Sequence, residues 1–245
     1  MGEDHRVDND VDGTECDREW PVMPRPTIPN RRSVLLDVAE EQILQQGFDA
    51  VRIADVARQA GVGKGAVYLE FRSKGALLEA LLTRAMGRMI RHSQRALDEV
   101  PDGELSFALL YRVGIEALLS DRLATAALLS DRDVLGSQVE AMGSQRYASR
   151  LGWVRVLLGV FAESGAIPPD LDLDGLAVAL SATTLGLLQA SSAFGPLSKE
   201  QLEGALAALT LVVERGILSG PVRNPRALRQ AVVEFLGRLR DQVER

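Results

Sequence analysis

Residues 53 to 74 (Ile-Ala-Asp-Val-Ala-Arg-Gln-Ala-Gly-Val-Gly-Lys-Gly-Ala-Val-Tyr-Leu-Glu-Phe-Arg-Ser-Lys) constrain this chain more than any other stretch. Val56, Ala57 and Ala60 share one face of a short helix. Gly61 stops that helix where the backbone needs a positive φ, which only Gly adopts without steric cost. Val62 turns inward. Val67 and Phe71 then stand four apart, on the inner face of a second short helix. Ala57 is small where the two helices would cross. An ordinary helical hairpin also carries apolar pairs four apart, but the full set of small, Gly and apolar residues at these offsets is much rarer. The spacing predicts a helix-turn-helix whose second helix faces DNA.

Around this core, Arg31 to Leu82 resembles the DNA-binding domain of the TetR family of transcriptional regulators. The matching residues are Gly47-Phe48, Asp55-Val56-Ala57, Ala60-Gly61-Val62, Lys64-Gly65, Val67-Tyr68, Phe71, Ser73-Lys74 and Ala76-Leu77-Leu78. They span about a fifth of the chain. The remaining helices are similar to the family only in length and character. The resemblance implies an all-α homodimer that binds double-stranded operator DNA and releases it when a small molecule fills the C-terminal domain.

The net charge of −6 needs locating before it says anything about DNA. Residues 1 to 20 hold Glu3, Asp4, Asp8, Asp10, Asp12, Glu15, Asp17 and Glu19 against Arg6 and Arg18, so the remainder sums to zero. Residues 1–30 read as a disordered tail, acidic first and then stiffened by Pro21, Pro24, Pro26 and Pro29. Arg25, Arg31 and Arg32 gather at the entry to the first helix, as a minor-groove arm or as a plain solvated one. Residues 31–80 form the expected DNA-binding domain and 81–245 a helical ligand-sensing and dimerisation domain. In the latter, helices are expected at about 104–119, 121–129, 132–164 (a longer stretch, open to interruption), 173–193, 198–218 and 226–244, separated by Gly and Pro turns.

Within the helix-turn-helix, roles follow from exposure. Gly63, Lys64, Gly65 and Ala66 open the recognition helix, where backbone N–H groups and the helix dipole favour phosphate. Lys64 can reach a phosphate or a guanine edge, and Tyr68 brings a hydroxyl. Lys74 is expected to clamp phosphate from the start of the next helix, after Ser73 as its N-cap. Arg52 stands where the family usually has a hydroxyl N-cap, a loss of about 1 kcal/mol, though its cation can reach phosphate instead. Ala66, Leu69 and Glu70 also depart from the family's habits. Arg31 and Leu69 complete the expected DNA-facing set.

The walls of an effector cavity are expected from apolar stripes: Met86, Met89 and Ile90 on the fourth helix; Tyr147, Leu151, Val154, Leu158 and Phe161 on the long one; Thr183, Thr184 and Leu187 on the helix after Pro169. Each reads equally as ordinary core. As a set they suit a mostly apolar molecule with one or two hydrogen bonds. Gly186, Ala190, Ala205 and Ala208 break the apolar faces of two late helices. The resemblance implies that this pair meets its mate in a four-helix interface.

Catalysis finds no footing. The histidines are His5 and His92, neither with a partner at metal-ligand spacing, and no phosphate-binding Gly-rich loop is present. Neither an enzyme, a cofactor nor a metal is expected. Cys16 is the only cysteine, and no apolar run is long enough for a membrane span, so a cytoplasmic location is expected by default. Two readings stand: a repressor released by a small, mostly apolar effector, or a helix-turn-helix regulator controlled by a partner protein or by its own acidic tail.

Overall fold

The computed structural model describes residues 29–139, 145–217 and 222–243, with side chains left out for 145–151. The expectations for residues 1–28 lie outside the described residues. The chain falls into two units, Met1–Arg31 and Arg32–Arg245. Of the first, only 29–31 are described.

Among the described residues all regular structure is helical. The first helices are α1 (Arg31–Gln46), α2 (Ile53–Gln59), α3 (Lys64–Glu70) and α4 (Lys74–Glu99). Then come α5 (Phe107–Ser120), α6 (Arg122–Leu129), α7 (Arg132–Leu135), α8 (Gln145–Glu163), α9 (Leu173–Leu188), α10 (Ala190–Phe194), α11 (Lys199–Ile217) and α12 (Pro225–Val243). The breaks have local causes. Gly47 and Gly61 leave α1 and α2 with φ of 78° and 68°. Ser73 accepts from the Ala76 N–H at 3.0 Å and opens α4. Ser198 and Gln201 exchange hydrogen bonds of 2.8 and 3.2 Å, a capping box that starts α11. The expected 132–164 helix is interrupted: α7 stops at Gly136, whose φ is 57°. The expected 173–193 helix divides at Gln189 into α9 and α10.

Two apolar clusters share α4. The first packs Leu35, Ile43, Phe48, Val56, Val67 and Phe71 against Leu77, Leu81 and Ala85 of α4, joined by Leu118, Leu123 and Leu135. The second gathers Ile90 and Leu97 of α4 with Phe107, Tyr111, Leu158, Phe161, Leu180, Leu206, Val213, Val232 and Phe235. Each fully buried Leu or Phe contributes about 1.5–3 kcal/mol, which holds short helices that would be marginal alone.

Polar contacts then tie the first cluster to the helices beyond α4. Arg84 pairs with Asp37 and Glu40, and Arg88 bridges Glu40 of α1 to Asp121, the N-cap of α6, at 2.7 Å each. Burial by itself would lower the Arg88 pKa. The hydrogen bonds and charges of Asp121 and Glu40 outweigh it and raise the value. A second tie runs from the α1–α2 turn to the segment around α7. The Phe48 N–H donates to the Val134 carbonyl at 2.8 Å. The Asp49 carboxylate accepts from the Ser137 N–H and hydroxyl, both at 2.9 Å. A Cβ on Gly47 would lie 2.4 Å from the Asp133 carbonyl oxygen, and one on Gly136 would lie 2.4 Å from the Asp49 carboxylate. Close approach, as well as positive φ, therefore requires both glycines. At the far end, Arg229 of α12 donates to the carbonyls of Leu97 and Val100 and pairs with Asp102, closing the C-terminus of α4.

Candidate nucleic-acid interface

The second helix of the helix-turn-helix, α3, is seven residues long and shows two faces. Val67 is buried on one side, and Phe71, just past the end, is buried too. Tyr68 is 46% exposed and Leu69 80% exposed on the other side. Lys64 and Gly65 are exposed beside them, and Ala66 is half-buried. The Lys64 ammonium stands 5.8 Å from the centre of the Tyr68 ring. Gly63 is the N-cap and offers no side-chain acceptor, so the first N–H groups of α3 have no side-chain cap. A Cβ on Gly65 would meet nothing within 4 Å, so its surface is open.

The flanking cations divide. Arg52 is the N-cap of α2 with extended backbone and makes no side-chain cap bond, as its side chain dictates. It is exposed. Arg31 opens α1. Lys74 is half-buried rather than free. Its ammonium lies 4.3 Å from the centre of the Phe48 ring and donates to the Asp49 carbonyl at 3.2 Å. Burial lowers its pKa, and the Asp49 charge partly opposes that. Arg32 departs furthest from expectation. It lies inside α1, donates to the Glu70 carbonyl at 3.0 Å and sets its guanidinium 4.5 Å from the centre of the Phe71 ring. Arg25 lies outside the described residues.

The expected effector walls are brought together only in part. Ile90, Leu158, Phe161 and Thr184 are buried in the second cluster, with Met86, Val154 and Leu187 half-buried against it. Met89 packs instead against the first cluster, because it faces the α1 side of α4. Thr183 is exposed, and its hydroxyl donates to the Ala179 carbonyl at 2.8 Å. One residue apart on a helix is about 100°, which turns it away from Thr184. The side chains of Tyr147 and Leu151 lie outside the described residues.

Tyr111 was missed by the pattern reading. Its ring stacks at 6.0 Å on Phe107, which meets Phe161 edge-on at 5.8 Å. Its hydroxyl donates to the Leu180 carbonyl at 2.7 Å and lies 2.9 Å from the Thr184 hydroxyl. The signal was there: Phe107 and Tyr111 stand four apart as the two aromatic residues of α5. The buried Ser181 hydroxyl, one residue after Leu180 on α9, has no hydrogen-bond partner. Among the described residues no group of His, Cys, Asp and Glu is arranged to hold a metal, and no helix is long and apolar enough to cross a membrane.

Residues 35–81 match the family described as bacterial regulatory proteins, tetR family. The chain is 27% identical over 185 residues to the HTH-type transcriptional repressor KstR2 of Mycolicibacterium smegmatis, covering 74% of this chain and 89% of that one. Among solved structures, a TetR-family transcriptional regulator from Rhodococcus sp. superposes with a TM-score of 0.60 at 23% identity, over 76% of this chain and all of the other. The regulator FadR of Bacillus subtilis, solved in complex with stearoyl-CoA, does so with a TM-score of 0.58 at 20% identity, over 76% of this chain and 99% of the other. At these identities the two structures speak for the fold.

Proposed function

We propose that this chain, a DNA-binding transcriptional regulator of the TetR family, is a repressor that leaves its operator when a small, mostly apolar effector binds among α4, α5, α8 and α9. The outward face of α3 carries the DNA half of this reading. A Leu that is 80% exposed beside a Tyr that is 46% exposed, with the Lys64 cation next to the Tyr ring, puts apolar and cationic groups on one face, which suits a helix laid in the major groove. Gly63, Lys64, Gly65, Ala66, Tyr68 and Leu69 would meet DNA, with Arg31, Arg52 and Lys74 supplying cations to phosphate. Lys74 has donors left after its bond to Asp49.

For the effector, Met86, Ile90, Val154, Leu158, Phe161 and Leu187 supply apolar wall, and the Tyr111 and Thr184 hydroxyls supply the hydrogen bonds. Its mostly apolar character agrees with the acyl chain of the stearoyl-CoA in the structure of the Bacillus subtilis protein. The packed Phe107, Tyr111 and Phe161 rings favour the second reading, control by a partner protein or by the acidic tail, because they already fill their part of the core.

The protein would act as a homodimer in the cytoplasm. Val178 on α9 and Leu211 and Val212 on α11 are 56%, 46% and 67% exposed, next to exposed Gly186, Ala205 and Ala208. Apolar and small residues of this kind let helices of two copies approach closely. A two-fold dimer presents two copies of α3, so its operator should be close to palindromic.

Selection of bound duplexes from a random pool, followed by a compound screen for release, tests the proposal. An enriched palindrome and a releasing apolar compound are the expected results. No enrichment over random sequence would reject DNA recognition. Enrichment with no releasing compound would favour the partner-controlled reading.

A further inference from the structure

A seven-residue helix cannot hold itself in place, so the pose of α3 depends on what grips its ends. Its N-terminal end has no side-chain cap, since Gly63 stands there. Its inner face is held through Val67. Its C-terminal end is held from α1. Arg32 donates to the carbonyl of Glu70, the last residue of α3, and lays its guanidinium over the ring of Phe71, the residue that anchors the exit. A cation at the carbonyl end also complements the helix dipole. Planarity matters here: a guanidinium lies flat on a ring while it directs an N–H along its own plane, a face-to-face contact that a tetrahedral ammonium, which meets a ring end-on, does not reproduce.

We infer that Arg32 is a positioning residue for DNA recognition: it sets the angle of α3 by clamping Glu70 and Phe71, and contributes to sequence discrimination rather than to phosphate attraction. This rests on α3 being the DNA-reading helix. A tilt at the end of a short helix moves Tyr68 and Leu69 relative to the base edges, whereas the charge that draws the protein to any duplex is almost unchanged. Base readout depends on that geometry and non-specific binding does not.

The test compares the full-length wild type with Arg32→Gln and Arg32→Lys. The probes are the duplex that the wild type selects from a random pool and a scrambled duplex of equal length, titrated across a salt series. A positioning role predicts that both variants lose roughly three- to tenfold in selected-over-scrambled affinity. Affinity for the scrambled duplex and the slope of log K against log salt stay at wild-type values, and Lys does not rescue. A direct phosphate contact gives the opposite: Arg32→Gln weakens both duplexes alike and lowers the slope by about one ion, and Lys restores both. That outcome, or undiminished discrimination in Arg32→Gln, overturns the inference.

Hydrogen exchange on the DNA-free proteins gives a readout independent of any operator. Faster exchange at the amides of 67–71, with unaltered exchange in the middle of α1, is expected of Arg32→Gln. Wild-type exchange rates there would overturn the clamp. If the wild type selects no duplex, the proposed function fails while the exchange measurement still decides whether Arg32 holds α3.

Discussion

At the scale of single residues, the outward side chains of α3 and its approach make separable predictions. Lys64 is exposed and pairs with no carboxylate among the described residues, so Lys64→Ala should weaken all duplexes alike and lower the salt slope by about one ion. An unchanged slope in a filter-binding series would remove Lys64 from the interface. Tyr68→Phe should cost on the order of 1 kcal/mol, one hydrogen bond, in the same titration. Leu69 can offer a base pair only apolar contact, and the apolar feature of the major groove is the thymine methyl. Replacing the contacted thymine by deoxyuridine should cost the wild type about 0.8 kcal/mol, roughly fourfold, and cost Leu69→Ala nothing. Equal losses in both proteins would mean that Leu69 reads no methyl. Arg52 has cap geometry but no cap chemistry. Arg52→Ser should therefore raise unfolding free energy by about 1 kcal/mol in a melt while weakening DNA binding, which would show that the position trades a cap for a phosphate contact.

At the scale of elements, the two ties around α4 explain how helices beyond it can bear on α1 to α3. Asp49 holds Ser137 by two hydrogen bonds, and the chain at Gly47 and Gly136 leaves no room for a side chain. Asp49→Ala should destabilise by roughly 1–3 kcal/mol, since the Ser137 groups lose their acceptor. Gly136→Ala should cost at least as much, combining positive φ with a clash. The Glu40–Arg88–Asp121 bridge makes a matching case. Arg88→Met leaves the largely buried Asp121 carboxylate without its cation and Glu40 with Arg84 alone. Stability in chemical denaturation should then fall by roughly 1–3 kcal/mol, because a largely buried carboxylate has lost its charged partner. An unchanged denaturation midpoint would show that the guanidinium acts there only by packing.

At the scale of the whole molecule, the exposed apolar surface of α9 and α11 calls for a second copy. An exposed surface of Val178, Leu211 and Val212 with small residues between them is costly on a lone chain. Leu211→Asp with Val212→Asp should give a monomer in sedimentation at micromolar concentration. It should also lose most affinity for a palindromic duplex, because the two half-sites are no longer bound together. A double variant that stays dimeric would move the interface elsewhere. A wild type that is monomeric at that concentration would remove the reason for a palindrome.

The sequence alone determined what depends on neighbours along the chain. Gly61 at positive φ, the Ser73 cap, the missing cap at Arg52 and the inward Val67 and Phe71 all follow from local sterics and helical period, and they appear where the pattern put them. Most helix ends after Pro101 were legible for the same reason, because Gly, Pro and capping side chains act within a few residues. What only the tertiary structure decided depends on residues far apart. Arg32 reads as an arm until the exit of α3, 38 positions on, is folded against it. Lys74 reads as free until Phe48 and Asp49 come under its ammonium. Met89 and Met86 share a stripe in sequence, yet face different clusters because α4 crosses both. Thr183 and Thr184 are alike in composition and opposite in burial, since a helix turns about 100° per residue and only packing decides which direction is inside.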